Sequence, residues 1–305
     1  MRLVTLAPAK VNLVLRVGPP RPDGYHDILS LLVPLDLADT VEVTVHARRG
    51  AVACRDPGRP DLDGPENLAA RAAALVKERF GKEHAVGIRI AKRIPVTAGL
   101  GGGSSDAAAV IRVLARAFRI RDRDALARIA LEIGSDVPFF LGEGAAWARG
   151  RGERLRPARV PPLHLVLVYP RSPALGIRAG DAYRWLDEDR GPAAPPLPRC
   201  AVAYRPGLLR NDLEAPCLAR RPELSPLLGW LVGRGAQKAI MSGSGPTVFG
   251  VFRDRSDARG AARTIAKEDW GPQVQVLAVR TVRRQPRVVP WISPRSASSP
   301  STRRS

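Results

Sequence analysis

Residues 95–106 read Pro95-Val96-Thr97-Ala98-Gly99-Leu100-Gly101-Gly102-Gly103-Ser104-Ser105-Asp106, set between an alternating apolar run, Val86 to Ala91, and an apolar helical pattern from Asp106 to Phe118. Consecutive glycines let a backbone approach a ligand closely. The unpaired amides of the helix start that follows form an anion site, reinforced by the helix dipole. Phosphate is the natural guest, and a flexible turn with a helix cap is the plainer alternative. Better-known loops fail on spelling. A Walker loop needs Gly-Lys-Ser/Thr, yet no lysine stands between Lys92 and Lys238, and a dinucleotide fingerprint needs a third glycine where Ser104 stands. None of Ser104, Ser105, Ser242 or Ser244 sits in the G-x-S-x-G frame of a hydrolase elbow, and protein-kinase signatures are missing.

Four further segments carry chemistry. In Gly134-Ser135-Asp136-Val137-Pro138-Phe139-Phe140 one carboxylate stands between a helical pattern and a proline with apolar neighbours, so Asp136 is expected to be partly buried and to need a cationic partner, unless it is a turn or cap aspartate. Ala7-Pro8-Ala9-Lys10-Val11-Asn12-Leu13 offers that partner, because Lys10 interrupts an apolar strand, where the alternative is an edge lysine facing solvent. Asp23-Gly24-Tyr25-His26-Asp27 puts an aromatic ring and an imidazole on a turn, suited to stacking on a base and bonding its edge, or to ordinary surface packing. Met241 to Gly250 is a second small-residue loop running into a strand.

Around these segments the chain reads as α+β with two domains. Strands are expected at Leu3 to Ala7, Val11 to Arg16, Ser30 to Leu35 and Thr40 to His46, and helices at Asn67 to Arg79, with Asn67 as N-cap, and Asp124 to Ile133. A strand near Ala145 to Arg149 precedes an Arg/Gly/Pro-rich stretch, which places the domain boundary near 155–162 and gives domains 1–158 and 159–282. The second half mixes helices at 178–187, 222–233 and 256–267 with strands at 163–169, 246–252 and 275–282, and a proline-rich surface loop spans Gly191 to Pro198. Residues 283–305 hold Arg, Ser and Pro with no acid, the composition of a disordered basic tail.

Composition narrows the classes. The 305 residues are 45% hydrophobic with a net charge of +20, nearly all of it from arginine, since lysine occurs only at 10, 77, 82, 92, 238 and 267. Such a field attracts nucleotides and, loosely, nucleic acid, but no base-reading motif or aromatic-rich basic stripe accompanies it, so no specific nucleic-acid partner is expected. Cys54, Cys200 and Cys217 form neither a disulfide framework nor a zinc pattern, which fits a cytoplasmic protein. No signal peptide and no membrane span are legible.

In identity and order these segments resemble the GHMP kinases, whose central motif, Pro-x-x-x-Gly-Leu-Gly-x-x-Ser-Ser, is matched from Pro95 to Ser105. The triple glycine, Pro8-Ala9-Lys10-Val11-Asn12-Leu13, Gly24-Tyr25-His26, Gly134-Ser135-Asp136-Val137-Pro138 and Asn211-Asp212-Leu213-Glu214 are similar to the branch whose acceptor is a cytidine diphosphate derivative. The resemblance runs from about residue 3 to 282 and implies an N-terminal domain like domain 2 of ribosomal protein S5 and a ferredoxin-like C-terminal domain. It also implies transfer of the γ-phosphoryl of ATP to the 2-hydroxyl of 4-diphosphocytidyl-2-C-methyl-D-erythritol, in the non-mevalonate route to isoprenoid precursors. It makes Asp136 the base, Lys10 its positioning cation, and Pro95, Val96, Thr97, Ala98, Gly99, Leu100, Gly101, Gly102, Gly103, Ser104 and Ser105 the ATP site. Tyr25 and Tyr183 would stack on cytosine, with His26 and Asn12 giving hydrogen bonds. Mg2+ is expected with ATP, its protein ligand unassigned, and the assembly a monomer or homodimer. Thr97 departs from the glycine or alanine usual there. A homoserine- or mevalonate-type kinase would share the loop but not Gly24-Tyr25-His26, and a basic nucleic-acid-binding protein with an S5-like domain is the reading from another class.

Overall fold

The two short segments expected before residue 20 join into one strand, β1 (Arg2–Pro20), and the next two into β2 (His26–His46), which pairs antiparallel with β1 along its length. The computed structural model describes residues 1–191, 197–198, 204–205, 208–265 and 273–290. Register shifts between Pro8 and Lys10, and between Asn12 and Val14, mark bulges in β1 on either side of Lys10 to Asn12. A bulge bends a strand and re-aims its side chains, and here the re-aimed pair is Lys10 and Asn12.

β3 (Val52–Arg55) and β4 (Ala85–Ala91) extend the sheet beyond β2. The next part of the chain supplies α1 (Leu68–Phe80), α2 (Gly102–Ala117), α3 (Arg123–Ile133) and α4 (Val137–Leu141). The hairpin of β5 (Ala146–Gly150) and β6 (Arg154–Pro157) joins β2 on the same edge as β4. Asn67 caps α1 as expected, accepting from the Ala69 amide at 2.9 Å. Ala69, Ala72 and Ala73 of α1 meet Ala107, Ala108 and Val110 of α2 in one apolar core.

The second half holds β7 (His164–Pro170), α5 (Ala179–Arg190), β8 (Arg210–Asn211), α6 (Glu214–Arg220), α7 (Ser225–Gly233), β9 (Lys238–Met241), β10 (Val248–Phe252), α8 (Arg255–Ile265) and β11 (Val274–Arg280). Its antiparallel sheet runs β11-β7-β10-β9, the strand order of a ferredoxin-like βαββαβ unit. One face packs on α5 to α8 through Val166, Val168 and Phe252. The other packs Leu165, Leu167 and Phe249 against Val11, Leu13 and Leu31 of the long hairpin. The molecule is thus α+β in two halves, with a shared apolar layer between their sheets.

Two expectations are corrected. The tail does not begin at 283: β12 (Val289–Pro290) pairs with Leu3 and Val4 of β1, the Arg287 carbonyl accepts from Thr5 Oγ1, and the Val288 carbonyl accepts from Arg116. A basic sequence still forms an edge strand when a neighbour offers unpaired backbone groups; residues 291–305 lie outside the described residues. The helix expected from Asp106 starts at Gly102 instead, because Gly101, at φ +70°, turns the chain into it and Gly102 and Gly103 occupy its first turn. Most of the Gly191 to Pro198 loop lies outside the described residues.

Candidate active site

Lys10 sits where β1, the glycine loop and the start of α4 meet. Its amide donates to the Leu100 carbonyl at 2.9 Å, which ties the loop to the bulged strand. Lys10 is 5% exposed; its ammonium donates to Asn12 Oδ1 at 2.8 Å and the Gly99 carbonyl at 3.1 Å, and forms an ion pair with Asp136 Oδ2 at 3.6 Å. A buried ammonium needs acceptors and a counter-charge; Asn12 and Gly99 supply the first and Asp136 the second. Asn12 is fixed in turn, donating to Ser30 Oγ at 2.8 Å, while Ser30 donates to the Val14 carbonyl. Asp136 is the residue before α4 but makes no capping bond, so its carboxylate faces Lys10 rather than the helix amides.

The glycine loop is held from both halves of the chain. Gly99, at φ +73°, lies so close to the Ser242 and Gly245 carbonyls that a Cβ would meet them at 2.3 and 2.9 Å, and Ser242 Oγ donates to the Gly99 carbonyl. The loop at 241–250 therefore docks on the glycine loop, kept in place by Asn211, which donates to the Met241 and Gly243 carbonyls. A cavity of about 410 Å³ on one side of the loop is lined by Pro95 to Ala98, Gly101 to Ser104, Asn67 and Lys92. A second cavity of about 580 Å³ is lined by Lys10, Asn12, Tyr25, His26, Asp136 and Tyr183. Gly101 and Ser104 line both, so the cavities meet at the loop. Of the expected loop residues, Leu100 and Ser105 turn into the core, so Leu100 serves through its backbone.

The structure brings the four expected recognition residues into this second cavity. The His26 ring stacks on Tyr183 at 5.1 Å between centroids, and His26 Nε2 lies 3.0 Å from Asp187 Oδ1. Burial, then the nearby charge of Asp136, pushes the Tyr183 phenol well above its usual pKa, so it stays neutral. Tyr25 is 48% exposed, with the Arg151 guanidinium over its ring at 3.5 Å. One face of Tyr25 is thus occupied by Arg151 and one face of Tyr183 by His26, an arrangement the sequence did not disclose.

Several partners escaped the sequence reading. Ser30, Asp187 and Arg151 carried no local signal. Lys92 did, as one of six lysines in an arginine-rich chain. Its ammonium joins Asp39 Oδ2 at 2.5 Å and Asp106 Oδ2 at 2.8 Å, all three nearly buried beneath the loop.

The glycine loop, the Lys10 and Asp136 pair and the two joined halves define a class, and sequence comparison agrees. Residues 67–144 match the model for the GHMP kinases N terminal domain and 205–270 that for the GHMP kinases C terminal domain. The chain belongs to the GHMP kinase family. A curated relative from Anaeromyxobacter dehalogenans, named 4-diphosphocytidyl-2-C-methyl-D-erythritol kinase, is 71% identical over 100% of this chain and 99% of its own. One of the same name from Geobacter metallireducens is 42% identical over 92% of this chain and 100% of its own. The crystal structure of a 4-(cytidine 5'-diphospho)-2C-methyl-D-erythritol kinase superposes with a TM-score of 0.73 at 36% identity, covering 91% of this chain and 98% of that one.

Proposed function

We propose that this chain transfers the γ-phosphoryl group of ATP to the 2-hydroxyl of 4-diphosphocytidyl-2-C-methyl-D-erythritol, giving the 2-phosphate and ADP. The name shared by relatives that match the whole chain supplies the acceptor. The observation that carries the chemistry is the junction of two cavities at Gly101 and Ser104, with Lys10 and Asp136 on the acceptor side.

In this reading the triphosphate lies along Gly99 to Ser105, where the amides at the start of α2 and its dipole favour negative charge. The acceptor lies across the loop, its base beside Tyr25 and Tyr183 with His26 at its edge. Asp136 accepts the proton of the attacking hydroxyl, and Lys10 orients Asp136 and offsets charge developing on the transferring group. Phosphoryl transfer gains chiefly from positioning and electrostatics, so these few groups suffice. Mg2+ bound to the ATP phosphates would neutralise part of their charge. No three carboxylate, histidine or cysteine side chains converge among the described residues, which fits an ion held mainly by phosphate oxygens and water.

Asp136→Asn keeps the shape of the side chain but cannot accept the proton. Steady-state turnover is expected to fall about a hundredfold or more, with the dissociation constant of ADP nearly unchanged. Near-normal turnover in this variant would remove Asp136 from the chemistry.

A further inference from the structure

Beneath the phosphate loop lies a buried charge cluster that the transfer chemistry leaves unused. Asp39 comes from β2, Lys92 follows β4, and Asp106 stands one turn into α2. Their side chains are 0%, 10% and 4% exposed. Lys92 reaches the loop itself, since a Cβ on Gly102 would lie 3.2 Å from its ammonium nitrogen, and it lines the 410 Å³ cavity together with Gly101 to Ser104.

Two carboxylates facing one ammonium leave a buried net negative charge unless one of them holds a proton. The hydrogen bonds say which one. Asp39 accepts from Lys92 and from the Arg93 and Ile94 amides, so both of its oxygens already face donors. Asp106 accepts from Lys92 through Oδ2, while its buried Oδ1 has no partner among the described residues. Asp106 is therefore the carboxyl that carries the proton, and the state of that proton sets the net charge directly under the phosphates.

We propose that Asp106 is a positioning residue of the nucleotide site: protonated, it leaves Lys92 and Asp39 as a neutral pair under the loop, and its deprotonation adds a negative charge there that weakens nucleotide binding. This rests on reading the glycine loop as the phosphate site. Burial, together with the Asp39 carboxylate, pushes Asp106 up to about 8 against the pull of Lys92, which sets the transition just above neutrality. Burial alone would lower Lys92, but Asp106 and Asp39 together raise it, so Lys92 stays charged throughout. The Cys54 thiol of β3 also faces Asp106, itself pushed up by burial and then by the Asp106 charge, and Asp61, Asp63 and Glu66 line the same cavity as Asp106. α1 turns Ala69, Ala72 and Ala73 toward α2. The sign follows: nucleotide affinity is highest below the Asp106 transition and falls as pH rises through it.

The test is calorimetric titration of the full-length protein with ADP and Mg2+ across this range, beside Asp106→Asn, which mimics the protonated carboxyl. In the unmodified protein the dissociation constant should rise by about tenfold between about pH 7 and 9.5, the size expected of one linked proton that moves by about a pH unit on binding. In Asp106→Asn it should change by less than about twofold. A difference infrared spectrum at pH 7 should show a protonated carboxyl band that this variant lacks, a readout that does not depend on the nucleotide. ADP binding with no pH dependence, or with the same dependence in both proteins, overturns the role of Asp106 and leaves the phosphate loop standing. No ADP binding at any pH overturns the loop reading and the proposal with it.

Discussion

Thr97 holds a left-handed backbone, φ +53°, which is strained for a β-branched residue, and its hydroxyl donates to the neighbouring Val96 carbonyl. Its side chain is exposed at the 410 Å³ cavity, so nothing in the packing compensates that strain. Thr97→Gly is expected to raise stability by about 1 kcal/mol, strain relief outweighing the larger entropy of glycine in the unfolded chain, measured as an upward shift in thermal midpoint. A lower midpoint would mean that the φ value carries no strain. At this scale the sequence exposes residues whose type clashes with their surroundings. Lys10 in an apolar strand and a carboxylate before Val137-Pro138 were legible for that reason. Ser30, Asp187 and Arg151 were not, because their work lies in pairings across 18, 161 and 126 positions of the chain, and no local pattern records such distances.

The elements were readable where periodicity was clean, as in α1, α3, β4 and β7. β1 and β2 were divided by Pro8 and by the polar residues between Leu35 and Thr40, yet both strands run through, because bulges and a long partner absorb the interruptions. Those same bulges aim Lys10 and Asn12, so the feature that hid the strand builds the site. β12 went unseen because two residues make no period, and its stability comes from the edge of β1. Ending the chain after Val282 removes the Arg287 and Val288 backbone bonds, the β12 pairing and the Val288 contact with the core. The expected loss is about 2 kcal/mol, read from chemical denaturation. Since the strap meets β1 at Leu3 to Thr5, away from Lys10, the KM for ATP should change little. Unchanged stability would show that the strap contributes nothing to the fold.

For the whole molecule, the arrangement that matters is a glycine loop gripped from both halves. Lys10 bonds it from the first, Ser242 from the second, and Asn211 steadies the second contact. No single segment of sequence contains that junction, though the agreement of separate motifs in order implied it. The surplus of positive charge is spread over both halves and does not mark the site. ATP consumption by purified protein with Mg2+, using 4-diphosphocytidyl-2-C-methyl-D-erythritol, homoserine and mevalonate as separate acceptors, decides which acceptor this chain takes. Turnover confined to the cytidyl substrate is the predicted result. Turnover on homoserine or mevalonate, with none on the cytidyl compound, would contradict the roles given to Tyr25, His26 and Tyr183 and the proposed function with them.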